Sequence, residues 1–224
     1  MIINILSIPD TLKNRKTMLI TLLIEKGGFL MYPLFFCSLL LITIFFERLW
    51  FYISNRSDAE KYRQAKQLVE NGRFGDAKNV LNGSKGALER VFLEVLNNLR
   101  CSRHDLEHIV SNKGVQELQR FNKNLHIMEL IGRIAPMLGL SGTVVGMVAA
   151  FQAVASSTGG AVNPALLASG IWESLLTTVA GLFVGIPALI FYHFFEKQFV
   201  IKSIDLKIKG EEIVRLFGEC NDRI

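Results

Sequence analysis

The chain has 224 residues, half of them hydrophobic, and carries 25 Lys and Arg against 20 Asp and Glu. The net charge of +5 could suggest nucleic-acid binding, but residues 47–133 mix 15 basic with 11 acidic side chains, and the apolar residues cluster in long uncharged runs. This distribution is typical of a membrane protein and excludes both a basic groove for nucleic acid and a single water-soluble domain. The three cysteines, Cys37, Cys101 and Cys220, have no metal-ligand spacing, and their odd number argues against a disulfide framework.

Residues 1–28 form a leader that we expect to lie at the membrane surface on the periplasmic side. Basic residues precede its short apolar run, 17–24, which is an order also found in signal peptides. However, Glu25 and Lys26 stand where a signal peptide would have a small-residue cleavage site. An interfacial amphipathic segment is therefore favoured.

The first transmembrane helix is predicted over residues 29–53. Its uncharged part, 29–46, has 18 residues, which cover about 27 Å as a helix and lie at the low end for a membrane span. Glu47 and Arg48 close the uncharged part, and the aromatic residues 50–52 follow as an interfacial belt.

Residues 54–133 are predicted to form a cytoplasmic helical domain. Short helices are expected from Ser57 or Asp58 to Asn71, from Gly75 to Leu81 and from Ala87 to Leu99, separated by Asn-Gly pairs that break helices. Within the following helix, His104 and His108 are four residues apart and could bind a metal. A solvated helix face is favoured for this pair, because no third ligand is evident.

The next helix is predicted to begin after a Ser102 cap and to continue into the second span. Apolar residues recur along it with heptad-like spacing, at Leu118, Phe121, Leu125, Met128 and Ala135. This seam packs either against neighbouring helices of the same chain or against copies of the chain, and both alternatives stay open. Gly114 could interrupt the helix, and Gly132 with Pro136 could bend it at the membrane surface.

The longest apolar stretch, residues 134–195, is predicted to be a transmembrane hairpin. Its spans are 134–155 and 165–195, joined by a polar periplasmic turn at 156–164. The stretch contains a single residue that is charged at neutral pH, Glu173. An acid at membrane depth costs roughly 2.5–3.5 kcal/mol on insertion scales, so Glu173 is a candidate functional residue. The alternative is a structural hydrogen bond between helices.

Small residues mark one face of each hairpin helix and predict close helix packing in lipid. Pro136 and Pro187 remove backbone donors and predict helix kinks. If the hairpin folds at Gly159-Gly160, Thr143 lies level with Thr178, and several copies around an axis would then form a polar ring; alternatively, each hydroxyl bonds its own helix backbone. The predicted packing glycines are Gly139, Gly142, Gly146, Gly181 and Gly185.

Residues 196–224 are predicted to be a cytoplasmic helix that leaves the third span and is broken or loosened at Gly210. Basic residues flank all three spans on the side of the large polar loop, which places that loop and the C-terminus in the cytoplasm and the N-terminus in the periplasm. Since one carboxylate cannot form a proton relay alone, either copies of the chain assemble or a partner helix supplies another acid. No nucleophile–base pair is evident in the polar loop, so an enzyme is not expected.

Three motifs resemble the MotA/TolQ/ExbB proton channel family, in its TolQ/ExbB branch. The first is the span from Pro33 to the Glu47-Arg48-Leu49 ending. The second is residues 135–144, APMLGLSGTV. The third is residues 170–181, GIWESLLTTVAG, followed by GIPA at 185–188. The second and third are specific in combination, whereas the polar loop and the tail match only in length and helical character.

The resemblance implies a pentamer of such subunits in the bacterial inner membrane around two single-span partners of the ExbD/TolR type. The partner's membrane Asp would carry protons, with no cofactor. Thr143, Thr178 and Glu173 would line the pore. Proton flow would move the partner and, through it, a TonB- or TolA-like protein. Two departures are His193, near where relatives often carry Asn, and Thr177, where a small apolar residue is common; Thr177 is included in the predicted pathway. The rivals are a MotA-type flagellar stator subunit, which would have four spans, and a non-conducting scaffold.

Overall fold

The computed structural model describes residues 29–99, 102–156 and 164–221, and every regular element in these ranges is an α-helix. Three helical stretches, Met31–Glu70, Arg103–Ala155 and Leu167–Phe217, are long and apolar enough to cross a membrane. The prediction of an all-α membrane protein with three spans is therefore confirmed. The helices are α1 Met31–Ser54, α2 Ala59–Glu70, α3 Phe74–Leu81, α4 Ala87–Asn97, α5 Arg103–Asn122, α6 Leu125–Ala155 and α7 Pro164–Asn221.

The chain divides into two compact units. Among the described residues, the hairpin unit comprises 29–43, 127–156 and 164–191, and the polar unit comprises 44–99, 102–126 and 192–221. The expected leader, residues 1–28, and most of the predicted turn, 157–163, lie outside the described residues.

The polar unit is held by a hydrophobic core to which short helices and the end of α7 contribute. Asp58 caps α2, because its carboxylate accepts hydrogen bonds from the backbone amides of Glu60 and Lys61. Gly72 and Gly83 follow α2 and α3 with positive φ, as the Asn-Gly pairs predict. The core residues with the smallest exposure include Ala65, Val69, Ala77, Leu81, Val91, Phe92, Val95 and Ile213.

The structure differs from the single long helix predicted after Ser102. Ser102 does cap α5, with its hydroxyl accepting from the Asp105 amide. Gly114 does not interrupt that helix. The break falls instead at Lys123 and Asn124, where Asn124 adopts a φ of 62°. Asparagine tolerates this left-handed conformation better than most residues, so α5 ends there and α6 begins at Leu125.

Two further boundaries differ, and one open alternative is resolved. Helix α4 ends at Asn97 rather than Leu99, and α7 continues past Gly210. The heptad-like seam is buried within the single chain: Phe121 belongs to the core of the polar unit, and Met128 and Ala135 are completely buried. The seam therefore packs against helices of its own chain.

In the hairpin unit, α6 and α7 run antiparallel, and the start of α1 packs against them. Met31 and Leu34 of α1 form a small buried cluster with Ala135 of α6, and partly buried side chains from α7 pack against it. The order of close approaches between α6 and α7 sets the register. Gly132 lies beside Leu189 near one end, and Ala150 lies beside Gly170 near the other.

Candidate functional site

Helices α6 and α7 approach each other so closely that glycine is required at their crossing. A Cβ atom built on Gly181 would lie 2.6 Å from the Ala135 carbonyl oxygen and 2.9 Å from the Gly139 Cα. A Cβ atom on Gly139 would in turn lie 2.9 Å from the Thr177 carbonyl oxygen. These obstacles are backbone atoms, which no side-chain rotation can move. The small-residue faces of the two helices thus face each other inside one chain.

The remaining predicted glycines contact side chains of the same hairpin. Gly142 lies against the Thr177 side chain, and a Cβ atom on Gly146 would lie 2.7 Å from the Ser174 Cβ. Gly185 packs on the Pro136 ring, where its added Cβ would lie 2.5 Å from the proline Cγ. Both α6 and α7 continue through their prolines. The predicted kinks stay a prediction.

The three predicted threonines all donate hydrogen bonds to backbone carbonyls. Thr143 donates to the Leu140 carbonyl of its own helix at 2.7 Å, which is the local alternative to a polar ring. Thr178 bonds across the hairpin to the Gly139 carbonyl at 3.0 Å. Thr177 is the buried one, and it bonds Ser174 at 2.7 Å with a longer contact of 3.4 Å to Gly139. Thr178 and Thr177 thus meet at a single carbonyl of α6.

Glu173 lines a groove of about 600 Å³ in the hairpin unit. The groove lies between α6 and α7, and the residues just before α1 reach it. Most of its walls carry small side chains, namely glycine, alanine and serine. Glu173 is half-buried, and Thr177 and Ser174 share the wall with it. The other lining residues are Phe29, Leu30, Gly142, Val145, Gly146, Ala149, Ala150, Ala153, Ser169 and Gly170.

The structure thus brings together only part of the predicted set. Glu173, Thr177 and the glycines Gly142 and Gly146 line one groove, whereas Thr143 and Thr178 are not part of its lining. Sequence reasoning did not single out Ser174 as a groove residue, although it is 3% exposed and bonds the Ile171 carbonyl. Ser174 follows Glu173 directly and lies on the small-residue face of α7, and this position could have indicated that it lines the same groove.

A charged cluster in the polar unit was also missed. Arg48 is 1% exposed, pairs with Glu47, and donates to the Arg120 carbonyl at 3.0 Å. The Asn124 amide donates to the Glu47 carboxylate at 3.3 Å. Glu47 and Arg48, which follow the first uncharged run, therefore form hydrogen bonds with residues at the break between α5 and α6. The signal was present in Glu47-Arg48 and in Asn124, but the pairing spans more than 70 residues of sequence.

His193 lies at the surface of the polar unit within a small cluster on α7. Its Nδ1 lies 3.0 Å from the Glu196 carboxylate, which also accepts a hydrogen bond from the Tyr192 hydroxyl at 2.9 Å. No group of three or more metal-ligating side chains is found in the part of the chain that the structure describes.

Fold and site together define a multi-pass, all-helical membrane protein with a closely packed hairpin that holds one carboxylate. Residues 84–206, which include α6 and most of α7, match the sequence model of the MotA/TolQ/ExbB proton channel family. The chain belongs to this family, in its ExbB-like branch, and is a subunit of the proton-channel type.

Several ExbB and ExbB-like proteins are similar in sequence to between half and three quarters of the chain. The biopolymer transport protein exbB1 of Vibrio cholerae is 30% identical over 181 residues, covering 74% of this chain and 74% of that protein. A putative ExbB-like protein 1 of Synechocystis is 31% identical over 180 residues, covering 75% of this chain and 66% of that protein. The ExbB protein of Neisseria gonorrhoeae is 35% identical over 111 residues, about half of each chain.

Proposed function

We propose that this chain is a subunit of a proton-driven motor in the bacterial inner membrane that powers a TonB- or Tol-type process. It assembles as a homo-oligomer, a pentamer, around a single-span partner of the ExbD/TolR type. The partner transmits motion to a TonB- or TolA-like protein. The N-terminus is periplasmic and the C-terminus cytoplasmic. The observation that carries the proposal is the position of Glu173 on the wall of the small-residue groove.

The chemistry of the groove suits a proton path better than a purely structural role. Its mainly small lining leaves space in which water or a partner helix can reach the carboxylate. A carboxylate can hold and release a proton, whereas the nearby hydroxyl of Thr177 can only hand one on. Thr143 and Thr178 are proposed to join the path when several copies surround the partner.

The energetics fit a motor. One proton that crosses 100 mV releases about 2.3 kcal/mol, which changes a conformational equilibrium by more than the tenfold that corresponds to about 1.4 kcal/mol. The hairpin carries one carboxylate, so the path needs at least one further acid. We assign that acid to the partner's membrane segment.

Dependence on the partner tests this proposal. The chain is reconstituted in liposomes with and without a single-span protein of the ExbD/TolR type, and internal pH is followed with a dye after a potassium gradient imposes about 100 mV. We expect inward proton flux only when both proteins are present. If either protein alone gives the same flux as the two together, the proposal is contradicted. If an intact complex of both gives no flux, the proposal is also contradicted, and a scaffold is supported instead.

A further inference from the structure

The surface of α5 carries two imidazoles that point their nitrogens at each other. His104 and His108 are one helical turn apart, and their Nε2 atoms are separated by 3.2 Å. The ring centroids are 4.5 Å apart and the ring planes cross at 81°. Both side chains are exposed and lie far along the chain from the groove and the hairpin. The proton-channel function uses neither of them.

This separation suits joint ligation of one metal ion. A metal bonded to both nitrogens at 2.0–2.1 Å with this spacing would have an angle at the metal of about 100°, between square-planar and tetrahedral values. In the metal-free protein the two nitrogens can share only one proton between them. For a metal ion to bind both Nε2 atoms, the ring that carries this proton on Nε2 shifts it to its own Nδ1, so that each neutral imidazole presents an Nε2 lone pair.

The charges around the pair favour a cation. Asp105 directly follows His104 in sequence, and its negatively charged carboxylate accepts a hydrogen bond from the Ser102 hydroxyl at 2.7 Å. The neighbouring Arg103 is paired with Glu107 at 3.5 Å, which offsets its positive charge.

We propose that His104 and His108 form a two-histidine chelate for a late first-row divalent metal ion, with water completing the coordination. Imidazole nitrogen suits Cu²⁺, Ni²⁺ and Zn²⁺ and disfavours Mg²⁺ and Ca²⁺, and Cu²⁺ binds most tightly in this series. The bound ion ties together two successive turns at the start of α5. It therefore stabilises the N-terminal part of this helix.

The test is a calorimetric titration of the full chain in detergent with Cu²⁺, with thiols blocked and a purification tag that contains no histidine. We expect one tight site per chain. Either His104→Gln or His108→Gln should weaken binding by on the order of 100-fold, because the second ligand no longer acts at high effective concentration. His193→Gln is the matched control: it removes another exposed histidine with a carboxylate neighbour and should leave this site unchanged.

Three results would overturn the inference. The first is tight Cu²⁺ binding that survives the double substitution of His104 and His108. The second is a stoichiometry of one ion per two chains, which indicates a bridge between copies. The third is hydrogen–deuterium exchange at residues 103–108 that does not slow on addition of Zn²⁺. Proton flux in the liposome assay should be the same in the His104→Gln chain, so failure of this site and failure of the channel are distinguishable.

Discussion

At the scale of single residues, the close packing of the hairpin depends on two glycines, because glycine has no side chain. The absence of a side chain at Gly181 and Gly139 lets two helix backbones come into direct contact. In lipid this packing, together with the hydrogen bond from Thr178 to the Gly139 carbonyl, must hold the helices together, because lipid tails are as apolar as the helices themselves.

Gly181→Ala should therefore destabilise the hairpin. Its new Cβ meets backbone atoms of Ala135 and Gly139, so α6 and α7 must separate, at a cost of about 1–3 kcal/mol. Gly75→Ala is the control, because nothing lies within 4 Å of its added Cβ. That change should raise stability by about 0.4–1 kcal/mol, because alanine leaves the unfolded chain less conformational freedom than glycine does. Denaturant unfolding in detergent measures both, and equal shifts of the same sign would contradict the packing account.

At the scale of helices, the main surprise is the break between α5 and α6. Sequence periodicity alone predicts one helix there, because the apolar seam continues across the break without a change of spacing. The left-handed Asn124 ends α5, and a contact distant in sequence stabilises that end, because Arg48 donates to the carbonyls of Arg120 and Phe121 that a helix end leaves open. The residues involved are visible in the sequence, but their pairing spans more than 70 residues and cannot be deduced from local periodicity.

Arg48→Ala should lower the unfolding free energy of the polar unit by about 2–4 kcal/mol, since it removes a buried guanidinium and leaves helix-end carbonyls without donors. Arg63→Ala is the matched control: Arg63 is exposed and forms an ion pair with the exposed Glu60 at 3.7 Å. A surface pair contributes about 0–1 kcal/mol. A loss for Arg48→Ala no larger than for Arg63→Ala would show that the arginine does not stabilise the helix end.

The contact between α2 and the end of α7 should be sensitive to acid. Lys66 pairs with Glu212, which also accepts a hydrogen bond from the Tyr62 hydroxyl at 3.0 Å. The hydrogen bond from Lys66 holds the pKa of the Glu212 carboxyl below its ordinary value of 4.5. A carboxyl with a lowered folded-state pKa stabilises the fold above the unfolded-state value and loses that contribution as the pH falls through the folded-state value.

Glu212→Gln should consequently flatten the decrease in stability below about pH 4.5 while it lowers stability at pH 7. Thermal unfolding of the full chain in detergent between pH 7 and pH 3 measures both effects. Glu211→Gln is the control, because Glu211 is an exposed carboxylate that directly precedes Glu212 on α7. If the parent and the Glu212→Gln chain lose stability in parallel over this range, the carboxyl does not contribute as described.

At the scale of the whole molecule, sequence patterns predicted the helices of the fold better than the way in which these helices pack together. Uncharged length predicts the three spans, and the Asn-Gly pairs predict the ends of α2 and α3, because both signals are local. The sequence also predicts the register of the hairpin. It places Thr143 level with Thr178, and in the structure the preceding residues of the two helices, Gly142 and Thr177, are in contact. The groove was not predictable, because its shape depends on how α1, α6 and α7 pack together.

The central claim is that Glu173 forms part of the proton path, and proton flux through a Glu173→Gln complex tests it most directly. The complex with the single-span partner is reconstituted in liposomes under about 100 mV, with Glu60→Gln as an exposed control outside the hairpin. Subunit stoichiometry is checked in each case. We predict that Glu173→Gln assembles normally but conducts protons at least about tenfold more slowly, a barrier increase of about 1.4 kcal/mol or more, while Glu60→Gln conducts like the parent. Parent-like flux through an intact Glu173→Gln complex would contradict the claim.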